Sequence, residues 1–242
     1  MESEGDLTAA LAALTAEGRA PDAVEVFAVT LNGVARGKRV PMASVEKLAA
    51  EGPGSLRFQT SLMGLDIFGA DVAASRIAME IGDPDGVFVP LAHTLTPLPF
   101  RKGMATLQGM LADPASGALC AFDPRAVLLR VVDRAAAMGL APVIALEIEF
   151  YLIDPETPLP ARHPVTRERL AGYQVMDLDV LDAFAPVIAD MEAAARTLGA
   201  RTLSVLSEFG HGQFEINLAH MDAARACDAL IALKKAVRAA AR

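Results

Sequence analysis

Between Pro142 and Asp154 the run P-V-I-A-L-E-I-E-F-Y-L-I-D is rich in β-branched and aromatic residues, and its second half alternates apolar with polar, which predicts a strand. Successive side chains on a strand face opposite ways, so Leu146, Ile148 and Phe150 share one face and Glu147, Glu149 and Tyr151 the other. Downstream, R-T-L-S-V-L-S-E and Q-F-E-I-N-L, separated by F-G-H-G, predict two strands joined by a tight glycine-containing loop. Alternation places Gln213, Glu215 and Asn217 together, opposite Phe214, Ile216 and Leu218, while Glu208 and Glu215 flank the turn. Nearer the start, A-V-E-V-F-A-V-T-L, Asn32-Gly33 and V-A-R-G-K-R-V-P predict a hairpin closed by a two-residue turn.

Helical periodicity fills much of the remainder. Asp6 caps an Ala- and Leu-rich helix that stops at Gly18, residues 42 to 50 predict a short helix, and Asp123-Pro124 opens a helix running to Gly139. A helix from Leu178 to Leu198 is expected to kink at Pro186, and another runs from Met221 to the last residue. Residues 155 to 172 hold four prolines and predict a long connection, either functional or mobile. The stretch from Ser55 to Phe100 mixes short strand-like runs with Gly, Asp and Pro breaks. The chain is therefore expected to be α+β with two domains, 1–101 and 102–242.

Composition narrows the function. With 242 residues and 53% hydrophobic content the chain can build substantial cores. A net charge of -8 without a basic, aromatic-interleaved stripe argues against nucleic-acid or anionic-membrane partners. The start M-E-S-E-G-D lacks the features of a signal peptide and no apolar run reaches membrane-spanning length, so a cytoplasmic location is expected. Cys120 and Cys227 fit no paired motif and suit a reducing compartment as small apolar residues.

Chemistry concentrates in the two acidic clusters. Neighbouring carboxylates on one strand face, about 7 Å apart, repel by roughly 2 kcal/mol at an effective dielectric near 20. Water relieves that cost on an open surface, and a cation relieves it in a cleft. Glu147 and Glu149 on one strand, with Glu208 and Glu215 on the arms of a hairpin, offer the oxygen ligands a hard cation such as Mg²⁺ or Mn²⁺ requires. Other motifs fail: G-V-A-R-G-K-R is too short for a phosphate-binding loop, and H-E-x-x-H and G-x-S-x-G are absent. Of the four histidines, only His211 lies in an acidic hairpin.

These segments resemble the glutamine synthetase family, especially the bacterial branch that includes γ-glutamylpolyamine synthetases. L-N-G-V-A-R-G-K-R-V-P, L-D-I-F-G, D-P-R-A-V-L-L-R, A-L-E-I-E-F-Y-L, G-Y and S-E-F-G-H-G-Q-F-E-I-N-L occur in family order across nearly the whole chain. The resemblance implies a small β-grasp amino-terminal domain followed by the first part of a catalytic domain whose antiparallel strands hold two metal ions. It implies Glu149, Glu208 and Glu215 as ligands of the metal that holds glutamate, Glu147 as a ligand of the metal on the ATP phosphates, and Tyr173 near the amine pocket. ATP, glutamate and ammonia or an organic amine such as a polyamine are the implied ligands, in a homo-oligomer with intersubunit sites.

Three departures accompany the match. Thr30 stands where the family commonly carries an aspartate that reaches a neighbouring subunit, His211 replaces proline or alanine, and Q-V-M-D-L-D after Tyr173 lacks the usual proline. The match also stops short of the family's later motifs, so the sequence corresponds to about the first half of such an enzyme. It is expected to bind divalent metal weakly and to lack turnover by itself. The alternatives to an ATP-dependent carboxylate-amine ligase are a non-catalytic module that assembles with or regulates an active subunit, and a metal-dependent hydrolase.

Overall fold

The computed structural model describes residues 6–16, 18, 20–169 and 172–242. The expectation for the first five residues lies outside them. The chain forms two compact units, Met1–Leu140 and Ala141–Arg242, each mixing helix and strand. Among the described residues no helix is long and apolar enough to cross a membrane.

The first unit contains α1 (Leu7–Ala16), β1 (Ala23–Val29), β2 (Ala35–Pro41), α2 (Met42–Glu51), β3 (Arg57–Gln59), β4 (Asp85–Pro90), β5 (Thr96–Pro97), β6 (Met104–Ala112) and α3 (Pro124–Ala137). Its sheet runs β2-β1-β6-β4-β3, with β5 on β6 and only the β1–β6 pair parallel. Alternation in β1 sends Val24, Val26 and Ala28 into the core, where Leu48 of α2, Phe88 and Leu107 meet them. β6 lies between β1 and β4, so the first sheet continues past residue 101.

The hairpin between β1 and β2 differs from its expected turn. Gly33 N–H donates to Thr30 O at 2.9 Å, Thr30 N–H donates to Val34 O at 3.0 Å, and Gly33 has φ of +66°. The loop thus has three residues ending in a left-handed glycine, a bulged closure that supplies the strand twist with positive φ at one position instead of two. Asp123 behaves as expected: its carboxylate accepts from Arg125 and Ala126 N–H to start α3, and also from Leu111 N–H at 3.0 Å, which ties the helix to β6.

The second unit contains β7 (Val143–Ile144), β8 (Glu147–Tyr151), α4 (Leu178–Ala183), α5 (Ala185–Thr197), β9 (Thr202–Ser207), β10 (Gln213–Leu218), β11 (Met221–Asp222) and α6 (Ala223–Ala240). The single expected strand from Pro142 divides, because β7 pairs with β11 whereas β8 pairs with β10. The expected helix across Pro186 also divides. Proline has no N–H to continue the ladder, so the helix ends at Phe184 and restarts with Pro186 in the first turn of α5. Asp222 caps α6 by accepting Arg225 N–H at 3.0 Å, which starts that helix two residues after the expected Met221.

The connection after β8 is held by charge. Asp154 is buried, and its carboxylate accepts from Glu156 N–H at 2.9 Å, Arg162 Nε at 3.2 Å and Arg169 Nη2 at 3.2 Å. The Glu156 N–H, followed by the Arg169 and Arg162 charges, outweighs burial and holds the Asp154 carboxyl below its ordinary value. A depressed folded-state value stabilises the clasp above the unfolded pKa, with the contribution lost as pH falls through the lower folded value. Limited proteolysis within 155–169 should therefore stay slow at neutral pH and accelerate only below about pH 4. Asp154→Asn should accelerate cleavage already at neutral pH.

Candidate functional site

Three strands ordered β8-β10-β9 carry the acidic residues. The β8–β10 register sets Glu149 opposite Glu215, Glu147 opposite Asn217 and Tyr151 opposite Gln213. Residues in direct cross-strand register share a face, with Cβ atoms about 5 Å apart. Glu208 follows β9 directly, and its N–H donates to Gln213 O at 2.9 Å, closing the hairpin around the loop 209–212. The opposite face is apolar, with Phe214 and Ile216 fully buried and Phe214 packed on Phe184 at 5.0 Å and on Phe150 at 6.2 Å between ring centroids.

On the acidic face Glu147, Glu149 and Tyr151 are exposed, whereas Glu215 on the central strand is more enclosed than simple alternation predicts. Glu215 is buried, with a relative exposure of 9%. Burial pushes its carboxyl up, and the charges of Glu147, Glu208 and Glu149 add to that rise against a lowering hydrogen bond from Asn217. Glu149 Oε2 accepts from Gln213 Nε2 at 2.7 Å, and Gln213 Oε1 in turn accepts from Tyr151 Oη at 3.0 Å and Gly210 N–H at 2.8 Å. Among the described residues, no three acidic, histidine or cysteine side chains converge closely enough to hold a metal ion. The backbone thus brings Glu147, Glu149, Glu208 and Glu215 to one face, while the side chains of Glu149, Glu208 and Glu215 remain in hydrogen bonds of their own.

The donor chemistry nevertheless fits a hard divalent cation. The charges of Glu147, Glu208 and Glu149 act on Glu215, whose buried carboxyl is raised. A cation would remove that repulsion with the oxygen ligands such ions prefer.

Tyr173 is 85% exposed and meets Phe209 edge to face, with ring centroids 6.3 Å apart. Its position is fixed by the next residue. Gln174 is buried, donates from Nε2 to Gln213 O at 2.7 Å and accepts Gly212 N–H at Oε1 at 3.0 Å, while its own carbonyl accepts from Ser207 Oγ at 2.7 Å. The glycines of F-G-H-G are needed for close packing. A Cβ on Gly210 would lie 2.7 Å from Gln213 Oε1 and Tyr151 Oη, and one on Gly212 would lie 2.8 Å from Leu152 O. His211 is half-buried in this loop. Thr30 belongs to the other compact unit, where it is buried with its hydroxyl unpaired.

Sequence reasoning missed Gln174 and Phe209, and gave Gln213 a face but no role. The polar alternation of β10 did mark Gln213, but nothing in the pattern around 174 announces that its amide reaches a hairpin nearly forty residues away. A cleft of about 430 Å³ along β8, lined by Glu147, Glu149, Lys234 and Arg238 among others, was likewise invisible in the sequence. Burial, with Arg238 as a second cause, lowers the Lys234 pKa there.

Two substitutions test this geometry. Glu215→Gln keeps the hydrogen-bond acceptor and removes a like charge, so it should raise stability in metal-free urea denaturation by about 0.5–1 kcal/mol while weakening Mn²⁺ binding. Gln174→Ala leaves the Gly212 N–H without its partner and the Gln213 carbonyl with the Glu208 N–H alone, and should cost about 1–3 kcal/mol in the same measurement.

Comparison with known proteins gives this site a context. The family profile described as glutamine synthetase, catalytic domain, matches residues 121–242, half of the chain. The chain is 35% identical over 221 residues to gamma-glutamylputrescine synthetase PuuA of Escherichia coli K12, covering 89% of this chain and 46% of that protein. It is 27% identical over 234 residues to a glutamate–isopropylamine ligase of Pseudomonas sp., covering 90% and 47% respectively. Among solved structures, the GmaS/ADP complex superposes with a TM-score of 0.76 at 25% identity, over 96% of this chain and 49% of that one. The chain spans about half the length of these relatives. With the profile spanning the acidic strands themselves, the chain belongs to the glutamine synthetase family.

Proposed function

We propose that this chain carries the first part of the active site of an ATP-dependent ligase that joins the γ-carboxylate of glutamate to an amine. The observation that carries the reading is the cross-strand pairing of Glu149 with Glu215, with Glu208 at the end of the adjoining strand. In this reading Glu149, Glu208 and Glu215 would hold one Mg²⁺ or Mn²⁺, and Glu147 would contribute to holding a second. The metals supply neutralisation of charge on the phosphoryl group in transfer. A glutamate γ-carboxylate oxygen attacks the γ-phosphorus of ATP, releasing ADP. The amine nitrogen then attacks the γ-carbonyl of γ-glutamyl phosphate, phosphate departs, and the nitrogen loses a proton. Tyr173, held beside the Glu208 hairpin, borders the amine.

The first unit is proposed to be a β-grasp domain. Its β1–β2 hairpin, the parallel β1–β6 pair and the helix α2 after the hairpin support this. An organic amine is the proposed acceptor. Thr30 offers no carboxylate to attract ammonium, and the names of two relatives specify putrescine and isopropylamine. The enzyme is proposed to act as a cytoplasmic homo-oligomer whose neighbouring subunit completes the amine site.

Glutamate-dependent ADP release by the complete enzyme, with Mg²⁺ and either putrescine, isopropylamine or ammonia, tests the proposal. Release should require glutamate, kcat/KM should be higher with an organic amine than with ammonia, and Glu149→Ala should lower turnover by about a hundredfold or more. Absence of glutamate-dependent release with every amine would overturn the ligase reading, and a preference for ammonia would overturn the acceptor.

A further inference from the structure

The run G-V-A-R-G-K-R, too short for a phosphate-binding loop, acquires another meaning once it is laid along β2. Cross-strand register sets Arg36 opposite Ala28 and Lys38 opposite Val26, both core residues of β1. The two cations therefore lie on the core side of the sheet, where alternation leads to apolar side chains. Arg39 lies on the other face and pairs with Glu25 at 3.1 Å. Arg36 and Lys38 form no such ion pair among the described residues. Lys38 Nζ donates to Arg57 O at 2.8 Å and stands 4.7 Å from the centroid of the Phe58 ring. Arg36 Nη2 donates to Asp66 O at 2.8 Å, its Nε is buried without a partner, and the Asp66 carboxylate is taken by Phe68 and Ala70 N–H. Arg57, on β3, likewise forms no ion pair, and its Nε lies 3.5 Å from Gly54 O, too far for a strong hydrogen bond.

These three cations line one cleft of about 750 Å³ between β2 and β3, the two edges of the first sheet, with Asp85 the single acid among the lining residues. Inward charges on an edge strand also deter pairing with other chains, but that role needs no third cation from the opposite edge. In a chain of net charge -8, cations that meet each other before any carboxylate are an uncompensated concentration of positive charge. We propose that the cleft binds a compact inorganic oligophosphate, with pyrophosphate as its simplest form, through Arg36, Lys38 and Arg57. Two joined tetrahedral phosphoryl groups direct oxygens to several sides at once, as cations arriving from opposite strands require. The arginines offer forked donors and the lysine a point charge, the two ways in which proteins hold phosphate. Leu56, Phe58 and Leu62 are already buried beneath the cations, so the cleft has no bare apolar floor for an organic tail. The site lies in the first unit and is independent of the ligase reading.

The test is calorimetric titration of the 242-residue protein with pyrophosphate, inorganic phosphate and citrate, at constant ionic strength and with EDTA present. Without metal the acidic strands of the second unit repel all three anions. Pyrophosphate should bind at one site per chain, at least about tenfold more tightly than phosphate or citrate, and should raise the thermal unfolding midpoint. Lys38→Gln and Arg57→Gln should each lower its affinity about tenfold. Arg134→Gln removes the same charge from an exposed position on α3 that does not line the cleft, and should leave affinity within about twofold. Unfolding curves of the ligand-free variants establish that each is folded. The Arg57 side chain is exposed, so Arg57→Gln carries the test if Lys38→Gln does not fold. No saturable binding of pyrophosphate, equal affinity for citrate, affinity unaltered in folded Arg57→Gln, or an equal loss in Arg134→Gln would overturn the proposal.

Discussion

The second unit depends on one register: β10 pairs with β8 so that Glu215 lies opposite Glu149. Side chains alternate with a period of two, so a slip of β10 by one residue would carry Glu215 into the apolar underside, away from Glu149, and lift Phe214 and Ile216 into the acidic face. The underside decides the matter. Phe214, Ile216 and Leu218 are essentially fully buried, and each contributes roughly 2 kcal/mol by leaving water, whereas like charges in cross-strand register cost at most about 1 kcal/mol. The apolar face therefore holds two acids together that would separate if left to themselves.

Glutamine amides supply the rest of the order on the acidic face. Gln213 links Glu149, Tyr151 and the Gly210 amide, and Gln174 links the segment bearing Tyr173 to the same hairpin. An amide is suited to this task because it donates and accepts at once and adds no charge to a face already crowded with carboxylates. A lysine or arginine in either place would neutralise the acids and compete with a metal. The two glutamines thus order the face while leaving its negative charge available.

Much of this architecture was legible in the sequence, for identifiable reasons. Strand alternation gave the faces of β8 and β10 correctly, because it depends only on backbone geometry. The cap at Asp123 was local enough to act where its side chain suggested, whereas the start of the last helix, expected at Met221, is set by Asp222, which caps α6. The breaks at 145–146 and at Phe184 were harder to place. The first arises because two successive segments pair with different partners, which is information no single segment contains. The second turns on whether Pro186 kinks a helix or restarts it, and that is settled by packing. The three-residue turn at Asn32-Gly33 shows the same limit, since one left-handed glycine and a bulge can replace a tighter turn without altering the sequence signal.

The candidate site was legible in its charges and illegible in its enclosure. Alternation assigned Glu215 to the polar face, and a polar face in isolation suggests water. In the fold Glu147 and Glu149 stay exposed, but Glu215, on the central strand of the three, is buried beside them. This difference changes the physical meaning of the cluster. Exposed acids on a strand are screened and cost little, so they imply nothing about a ligand. An acid that burial and three neighbouring charges together force upward in pKa stores unfavourable energy in the folded state, and that energy is relieved by whatever cation binds there. Pairwise spacing along the chain identifies the groups, but only the packing around β10 turns their proximity into a driving force for binding.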